Sequence, residues 1–473
     1  MLSPVEAEND CQRIELGVSA ASLGGATSVD FIIETTDWAP RTDLAAYDQF
    51  TVKTLVGGLP LGITIDRTII EPSANQYATA FSNQRKLLWD GTNFWSFYWT
   101  GSNTVYRYST DGITWSSTTQ AFTTSGVDKV SIWYDSANNA VYAVGDTSTS
   151  SVNIYIRKGT VTPSTHTITW DTQNTFRVTA NTLGGKNAFV SQDASGYIWV
   201  LSSNCTRTTP TATYDLTAFK SQSTNSVTGT WSNIGSMLTT DDGGSSLKGV
   251  IVPAGTGSYM WSVYGYGGNV SARKYTTSWS SQTDFTNVDK TDVTTNTDLA
   301  PPSAIVDGRG VCRVVYGDSN TNGGQLKSHI YSRYNSSATA WSAPDALSTT
   351  NPGDGYQAPT LSLDASNNNA FAFWVQLGDN SIVFKKYSAG AWSGSTSTLS
   401  STAYAKNYLT SVYSAPTEAR ICVEWTQNTT GTVQVIFEKI PEFGDVVVPV
   451  FSVLVVFIAV YRRRARADGP EDE

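Results

Sequence analysis

The sequence is poor in residues that build metal and redox sites, with four cysteines and two histidines among its 473 residues. No CxxC pair occurs, so a zinc ribbon is not expected, and two histidines are too few for a histidine-rich metal centre. Cys312 and Cys422 occupy matching positions of two similar strand-like segments, VCRVVYG and ICVEWTQ. Because cysteine often packs as a small hydrophobic side chain, we expect both to be buried free thiols.

Charge is scarce too, since charged residues make up 15% of the chain and leave a net charge of −9. Nucleic-acid binding needs clustered lysine and arginine to neutralise phosphate, so this composition argues against a nucleic-acid partner. Long runs of Ala, Leu, Glu and Lys are missing, whereas the chain holds 15 Trp and 23 Tyr. Aromatic residues suit pleated, half-buried surfaces, and the composition therefore indicates an all-β fold.

The chain has one long apolar run, from Val446 to Tyr461, close to its C-terminal end. As a helix this run is about 24 Å long, and snorkelling arginines or a thinned bilayer can match it to a ~30 Å hydrocarbon core. Positive residues remain on the cytoplasmic side of a membrane. We therefore predict a transmembrane helix, residues 1–440 outside the cell, and a cytoplasmic stop formed by Arg462, Arg463, Arg464 and Arg466.

The residues before this run carry a resemblance to a known targeting signal. Pro441, Glu442 and Phe443, followed by the apolar run and the arginine cluster, resemble the archaeal PEF-type C-terminal sorting signal. The resemblance implies that a sortase-like membrane enzyme cuts near the motif and that a lipid anchor often replaces the tail. A plain stop-transfer helix is the alternative.

An extracellular domain needs an export signal, and the start MLSPVEAENDCQRIELG has no basic region and no apolar core of that kind. We prefer the interpretation that the signal is missing from this version of the chain or that the start was misassigned. A tail-anchored cytoplasmic protein is the alternative, but it would move four arginines across the membrane. Four glycosylation sequons fit surface exposure, at Asn204, Asn269, Asn335 and Asn428.

Internal repetition is the main signal for the fold. A strand-like segment recurs seven times at a spacing of about 50 residues, starting at Phe94, Val141, Tyr197, Tyr259, Val311, Phe371 and Ile421. In most copies an earlier strand ends in a turn that contains Asp, and a third strand follows. In six copies a tryptophan comes after the third strand, at Trp115, Trp170, Trp231, Trp279, Trp341 and Trp392.

A single unit of three or four strands cannot bury the apolar faces of its sheet alone. Units arranged in a closed ring can, because each sheet then packs against its neighbours. We predict a seven-bladed β-propeller over residues 49–440, with six blades as the alternative. The seventh copy lacks a fourth strand, so we expect a strand from QFTVKTL or GITIDRTII to complete it. Residues 1–48 are then an N-terminal arm or cap, and residues 441–473 hold the sorting motif and the membrane segment.

The turn after the third strand of the first copy reads STDGITW. It resembles the Asp-box, the repeat of bacterial neuraminidases, through Ser109, Asp111, Gly112, Thr114 and Trp115. The resemblance implies a sialidase-like propeller in which this turn lies on the periphery and has a structural role. The other copies keep the tryptophan and lose Asp and Gly.

Sialidases, as this resemblance implies, use three arginines for the substrate carboxylate, a Tyr/Glu nucleophile pair and an Asp acid. The usual Arg-Ile-Pro stretch is missing here. One repeated position of the third strand, expected on a solvated edge, holds Arg107, Arg157, Arg273 and Arg333. Three further arginines fit no recognisable pattern: Arg85, Arg313 and Arg420.

Glu424 is the one weak catalytic candidate, because it lies among apolar residues in ICVEWTQ, and burial would raise its pKa. A hydrogen-bonding glutamate between blades is the simpler interpretation. Asp241 and Asp242 either project onto a propeller face or form a solvated turn. The turns DSANN and DASNN contain oxygen ligands for Ca²⁺, but plain hairpins are preferred, and we expect no metal or other cofactor.

These observations favour a surface-anchored recognition or adhesion module for a glycan or a surface protein. The alternative is a diverged sialidase-like exo-glycoside hydrolase, and a cell-envelope building block is a third interpretation.

Overall fold

The computed structural model describes residues 51–56, 59–64, 67–147, 153–176, 185–207, 213–240, 248–255, 257–266, 269–285, 301–322, 325–335, 340–348, 359–376, 379–401, 404–429 and 431–440. The predicted all-β class is confirmed: strands dominate the described ranges, which also contain short 3-10 helices at Pro163–Thr165 and Glu418–Arg420. Thr68–Lys439 form one compact unit. A separate antiparallel hairpin pairs β1 (Thr51–Val56) with β2 (Leu59–Thr64).

The compact unit contains seven sheets of four to six strands within its described residues. Sheet 1 comprises β4 (Leu87–Trp89), β5 (Phe94–Trp99), β6 (Thr104–Ser109) and β7 (Thr119–Gln120). Sheet 2 comprises β8 (Val127–Asp135), β9 (Ala140–Thr147), β10 (Ile154–Thr162), β11 (Thr167–Trp170) and β12 (Asn174–Phe176). Sheet 3 comprises β13 (Gly185–Gln192), β14 (Tyr197–Arg207), β15 (Thr213–Thr224) and β16 (Trp231–Thr240).

The next three sheets repeat this meander. Sheet 4 comprises β17 (Lys248–Pro253), β18 (Met260–Tyr266), β19 (Asn269–Tyr275) and β20 (Thr283–Asp284). Sheet 5 comprises β21 (Ser303–Val306), β22 (Cys312–Asn322), β23 (Gln325–Asn335) and β24 (Asp345–Ala346). Sheet 6 comprises β25 (Thr360–Asp364), β26 (Asn369–Val375), β27 (Ile382–Ser388), β28 (Ala391–Trp392), β29 (Ser397–Ser400) and β31 (Ser414–Ala415).

Sheet 7 combines the two ends of the compact unit. It contains β30 (Ala405–Ser411), β32 (Cys422–Thr429), β33 (Thr432–Lys439) and, as its fourth strand, β3 (Arg67–Glu71) beside β33. The strand β3 is the last part of the stretch GITIDRTII. This pairing satisfies the edge of β33 without a fourth strand from the C-terminal side.

The first strands of the sheets contact one another in chain order: β4 with β8, then β13, β17, β21, β25 and β30. β32 of sheet 7 contacts β4, which closes the circle. Apolar clusters lie between consecutive sheets, and their members come from neighbouring second strands and the tryptophans after the third strands. The compact unit is therefore a ring of sheets around a central channel, with its apolar core between the sheets.

Residues 78–86, here called the central segment, run along the channel and are buried. Asn83 Nδ2 donates to the Gly249 carbonyl of sheet 4 at 2.9 Å. Gln84 Nε2 donates to the carbonyls of Lys129 in sheet 2 and Ala188 in sheet 3, at 2.7 and 2.8 Å. The segment then continues into β4, so it fills the channel with polar groups that the first strands satisfy.

Arg85 extends this network to the remaining first strands. Its guanidinium donates to Ser303 Oγ of sheet 5 at 3.1 Å, to the Leu361 carbonyl of sheet 6 at 2.6 Å and to Ser411 Oγ of sheet 7 at 2.8 Å. Burial lowers the pKa of Arg85 to about 10, so the side chain stays charged at neutral pH. One cation thus holds three sheets together from the centre of the ring.

Candidate functional site

The two ends of the ring differ in chemistry. One end, here called the Asp-turn end, carries the turns between first and second strands. The other, called the Phe81 end, lies where the central segment meets the beginnings of β8, β13, β17 and β30. A bulge with a left-handed residue occurs near the start of three first strands: Lys129 (φ 44), Asn187 (φ 55) and Tyr408 (φ 55). Such bulges re-aim side chains and are frequent next to functional sites.

The bulge of β8 places Lys129 beside Asp146 of β9. Lys129 Nζ lies 3.9 Å from Asp146 Oδ1, and 23% of the lysine side chain is exposed while the aspartate side chain is fully buried. Asp146 Oδ2 accepts the backbone N–H of Asn187 at 2.7 Å, across the joint to sheet 3. Burial raises the pKa of Asp146 to about 7, although Lys129 opposes that shift. This end of the channel therefore combines a partly exposed cation with a fully buried carboxyl group whose pKa is about 7.

Aromatic rings surround the same place. The ring of Phe81 contacts Lys248 Nζ at 4.0 Å and Lys129 Nζ at 5.9 Å from its centroid. Tyr408 packs edge-on against Phe81 with centroids 6.0 Å apart, and Tyr77 lies 6.0 Å from Tyr408. Tyr77 is 48% exposed, so the cluster reaches the surface.

The Asp-box-like turn lies at the junction of sheets 1 and 7. Asp111 Oδ1 accepts the backbone N–H groups of Ile113 and Thr114 at 2.7 and 2.8 Å, and Ser109 Oγ at 2.8 Å. Partial burial acts to raise the pKa of Asp111, but these hydrogen bonds outweigh it and lower the pKa. Gly112 has a φ of +78 that glycine alone adopts readily.

The closing strand β3 binds this turn directly. Thr68 Oγ1 donates to the Gly112 carbonyl at 2.9 Å and accepts from Trp115 Nε1 at 3.0 Å. The indole of Trp115 packs edge-on against Phe437 of β33, with centroids 5.0 Å apart. In this structure the turn connects sheet 1 to the edge strand β3 and to its neighbour β33 in sheet 7, and it lies at the periphery of the ring.

The other tryptophans after third strands mostly reach the preceding sheet. Three aromatic pairs join neighbouring sheets in this way: Trp170 with Phe97, Trp279 with Trp199 and Trp341 with Trp261. Trp231 packs against the cluster shared by sheets 2 and 3, and Trp392 contacts Tyr387 of its own sheet. Each of these tryptophans packs against other side chains of the ring, so we assign them a structural role and not ligand binding.

The turn aspartates use their oxygens within the hairpins. Asp90 accepts the N–H groups of Thr92 and Asn93, and its other oxygen accepts Trp95 Nε1 at 2.7 Å. The turns DSANN and DASNN behave similarly, because Asp135 and Asp364 accept backbone and amide groups of their own turns. In the part of the chain that the structure describes, no group of three potential metal ligands is present.

The expectation of a solvated edge for the third-strand arginines is wrong for two of them. Arg157 is 9% exposed and Arg333 is 7% exposed. The Arg157 guanidinium lies 5.2 Å from the Trp170 ring and donates to the Ala121 carbonyl at 2.6 Å. Arg333 similarly covers the ring of Phe285 at 5.4 Å. Their long side chains fold over aromatic rings and bind carbonyl groups, and this burial replaces contact with water. Arg107 and Arg273 are half-buried.

Glu424, the weak catalytic candidate, is fully buried between sheets 1 and 7. Its Oε2 accepts Ser96 Oγ of β5 at 2.5 Å. Burial raises the pKa of Glu424 to about 8, while the Ser96 hydrogen bond and the Lys86 charge act in the opposite direction. The carboxyl is an inter-sheet hydrogen-bonding group without a route to solvent.

The three unassigned arginines have different partners. Arg85 is in the central channel, Arg313 lies 3.5 Å from the Tyr387 ring centroid, and Arg420 lies 4.7 Å from the Trp89 ring centroid. These contacts place the three arginines at separate locations in the ring. No arginine triad is therefore assembled from these residues.

The predicted buried free thiols are confirmed for Cys312 and Cys422. Among the sequons, Asn428 is exposed, whereas Asn335 is 3% exposed, so surface exposure was wrong for Asn335 because it closes the buried end of β23. The side chains of Asn204 and Asn269 lie outside the described residues, as do Asp241 and Asp242.

The N-terminal arm (1–48), the sorting motif Pro441, Glu442 and Phe443, the apolar run and the arginine cluster also lie outside the described residues. Within the ranges that are described, no helix has the length and apolar character needed to cross a membrane. The Phe81 end itself was missed from the sequence, since Lys129, Asp146 and Tyr77 belong to no motif. Two signals pointed toward it: the polar stretch SNQRK directly before the first strand, and an aspartate at the end of VYAVGD.

No protein family and no curated protein matches the chain in sequence. Among solved structures, the BP39L lectin from Burkholderia pseudomallei has a TM-score of 0.50 at 12% identity, covering 76% of this chain and 97% of the lectin. Trypanosoma rangeli sialidase has a TM-score of 0.45 at 11% identity, covering 86% of this chain and 59% of the sialidase. Penicillium chrysogenum alpha-L-arabinanase has a TM-score of 0.43 at 13% identity, covering 64% of this chain and 90% of the arabinanase. The likeness to the lectin concerns the fold alone, and it agrees with a β-propeller.

Proposed function

We propose that this chain is a seven-bladed β-propeller that recognises a glycan at its Phe81 end without cleaving it. The observation that carries the proposal is the exposed ring of Tyr77, which continues through Tyr408 to Phe81 beside Lys129 and Asp146. Sugar sites combine an apolar or aromatic surface with a few polar groups that fix orientation. The seven described sheets support the blade count.

The filled channel supports recognition over catalysis. Arg85, the one arginine in the central segment, donates to Ser303, Leu361 and Ser411, so both of its terminal nitrogens are engaged by the protein itself. Glu424 is held by Ser96 in a fully buried joint. A protein of similar fold, BP39L, is a lectin by name, which is compatible with sugar binding by this fold.

A glycan array probed with the full chain tests the proposal. Two exposed tyrosines at opposite ends of the ring provide a matched pair, because Tyr77 is 48% exposed and Tyr259, in the turn between β17 and β18, is 41% exposed. We expect Tyr77→Ala to abolish binding and Tyr259→Ala to leave it unchanged. Binding to no glycan, or equal loss in both variants, would contradict the assignment of this end.

A diverged sialidase-like glycoside hydrolase is the second candidate. It is favoured by one observation: Asp128 and Asp146 lie opposite each other on β8 and β9, and burial raises the pKa of Asp146 to about 7. Glycoside hydrolysis requires two carboxyl groups, and a raised pKa suits the one that acts as the acid. Fluorogenic sialosides and other glycosides test it, with Asp146→Asn expected to remove any activity and Glu424→Gln expected to retain it.

We further propose that residues 441–473 hold the propeller at the outer surface of a membrane, either as a helix or after processing by a sortase-like enzyme. The support is the PEF-like motif, the apolar run and the arginine cluster. Mass spectrometry of the native C-terminus tests the processing step. A lipid-bearing terminus near Phe443 is expected, and an intact arginine-rich tail would leave a simple membrane span.

A further inference from the structure

A second exposed tyrosine lies at the Phe81 end. Tyr404 is 41% exposed and directly precedes β30, whose beginning helps to form this end. Three large apolar side chains are exposed among the described residues, namely Tyr77, Tyr259 and Tyr404, and Tyr259 lies at the opposite end of the ring. The Phe81 end therefore carries two of these three exposed aromatic rings.

One strand relates the two tyrosines to each other. The ring centroids of Tyr77 and Tyr408 are 6.0 Å apart, and Tyr408 belongs to β30. Tyr404 precedes Tyr408 by four residues, which span about 10 to 13 Å in a bulged strand. This separation is larger than one sugar ring, so a single sugar cannot contact both tyrosines. A chain of several sugar rings can reach from one to the other.

The surface near both tyrosines is polar. Asn428 of β32 is exposed and pairs with Ala405, the neighbour of one tyrosine in the sequence. Two residues earlier, on the same face of β32, Thr426 Oγ1 lies 2.7 Å from Thr79 Oγ1 in the segment that carries the other tyrosine. The Asn428 amide offers donors and an acceptor, which suit the hydroxyl groups of a sugar.

Hydrogen bonds hold the backbone of both tyrosines. Lys406 is fully buried, and its Nζ donates to the Tyr404 carbonyl at 3.4 Å and to the Asn380 carbonyl in the turn between β26 and β27. Asn75 Oδ1 accepts the backbone N–H of Tyr77 at 2.9 Å. Because these backbone positions are fixed before a ligand arrives, binding costs less ordering of the protein.

We infer that the Phe81 end binds an oligosaccharide chain, with one sugar ring against Tyr77 and another against Tyr404. The inference rests on the proposed glycan recognition and specifies its ligand class, a chain of several sugar rings in contrast to a single terminal sugar. Each tyrosine ring presents an apolar face on which a sugar ring can pack while the phenol oxygen remains in water.

The test measures, by isothermal titration calorimetry, the affinity of the full chain for the oligosaccharide that binds most strongly on the array and for shorter fragments of it. For wild type, the affinity should rise at least about fivefold once a fragment is long enough to reach both tyrosines. Tyr404→Ala should remove this rise and leave the affinity for the shortest binding fragment unchanged. Tyr404→Phe keeps an aromatic ring and should retain the rise.

Tyr259→Ala is the matched control, because the Tyr259 ring is also 41% exposed but lies at the opposite end. This variant should bind every fragment as wild type does, and unchanged melting temperatures show that the variants are folded. If Tyr77→Ala abolishes binding while Tyr404→Ala keeps the dependence on chain length, the inference fails and glycan recognition stands. An affinity that does not rise with chain length would also overturn the inference, and an array without any hit would overturn both.

Discussion

The substitution Gly112→Ala in STDGITW measures how much the contact between this turn and sheet 7 contributes to the stability of the closed ring. Gly112 has a φ of +78, and a Cβ there would lie 3.1 Å from Phe437 Cε1 and 3.3 Å from Lys439 Cδ. The left-handed backbone alone costs an alanine about 1 kcal/mol. Crowding against the side chains of β33 adds about 1 to 2 kcal/mol. We therefore expect a total destabilisation of about 2 to 3 kcal/mol.

Gly126→Ala separates the two contributions. Gly126 has nearly the same backbone angle, a φ of +75, and a Cβ there would meet nothing within 4 Å. This variant should lose only the backbone contribution, about 1 kcal/mol. The difference between the variants then reports the contact between the turn of sheet 1 and the third strand of sheet 7.

Differential scanning calorimetry of the full chain provides the measurement. For a cooperative unit of about 370 residues, 1 kcal/mol shifts the melting temperature by about 1.3 °C. We expect Gly112→Ala to melt about 3 °C below wild type and Gly126→Ala about 1 °C below it. Equal shifts for the two variants would show that the turn does not press on β33, and would refute its assignment as the fastening of the closed ring.

Three further results are expected. Because burial raises the pKa of Glu424 to about 8, its neutral form favours folding, and the free energy of unfolding should fall as pH rises from 4.5 toward 8. In urea unfolding, Glu424→Gln should flatten this pH dependence, with a stability equal to that of wild type at pH 5 and higher than that of wild type at pH 9. An unchanged pH dependence would contradict the argument. Arg85→Met removes the buried guanidinium that donates to Ser303 Oγ, the Leu361 carbonyl and Ser411 Oγ, so urea unfolding should show a loss of at least about 3 kcal/mol. A loss below about 1 kcal/mol would argue against a role for Arg85 in holding three sheets together. Burial raises the thiol pKa of Cys312 and Cys422, so peptide-level mass spectrometry should find both unlabelled by iodoacetamide in the native protein and labelled in urea; native labelling would contradict their burial.

The repeated strands could be predicted because their signals are local. The repeated sequence segments that became the second strands begin with aromatic or branched residues, and most of the preceding turns place an aspartate where it accepts the N–H groups of its own hairpin. Asp90 and Asp193 also accept hydrogen bonds from the indoles of Trp95 and Trp199, which lie five and six residues later in the sequence. Short-range hydrogen bonding of this kind leaves a recurring pattern in the sequence.

The channel and the Phe81 end could not be predicted in the same way. The stretch SNQRK has the composition of an exposed loop, and its burial depends on partners far away in sequence, such as Gly249 for Asn83 and Ser411 for Arg85. Likewise, Lys129 and Asp146 become neighbours through the pairing of β8 with β9 and the bulge in β8. Neither feature follows from the alternation of apolar and polar residues.

The most direct test of glycan recognition at the Phe81 end is a crystal structure of the full chain with the glycan that binds most strongly on the array. The account predicts one sugar ring packed against the exposed ring of Tyr77. A sugar bound at the Asp-turn end near Tyr259, or on the outer edges of the sheets, would contradict it.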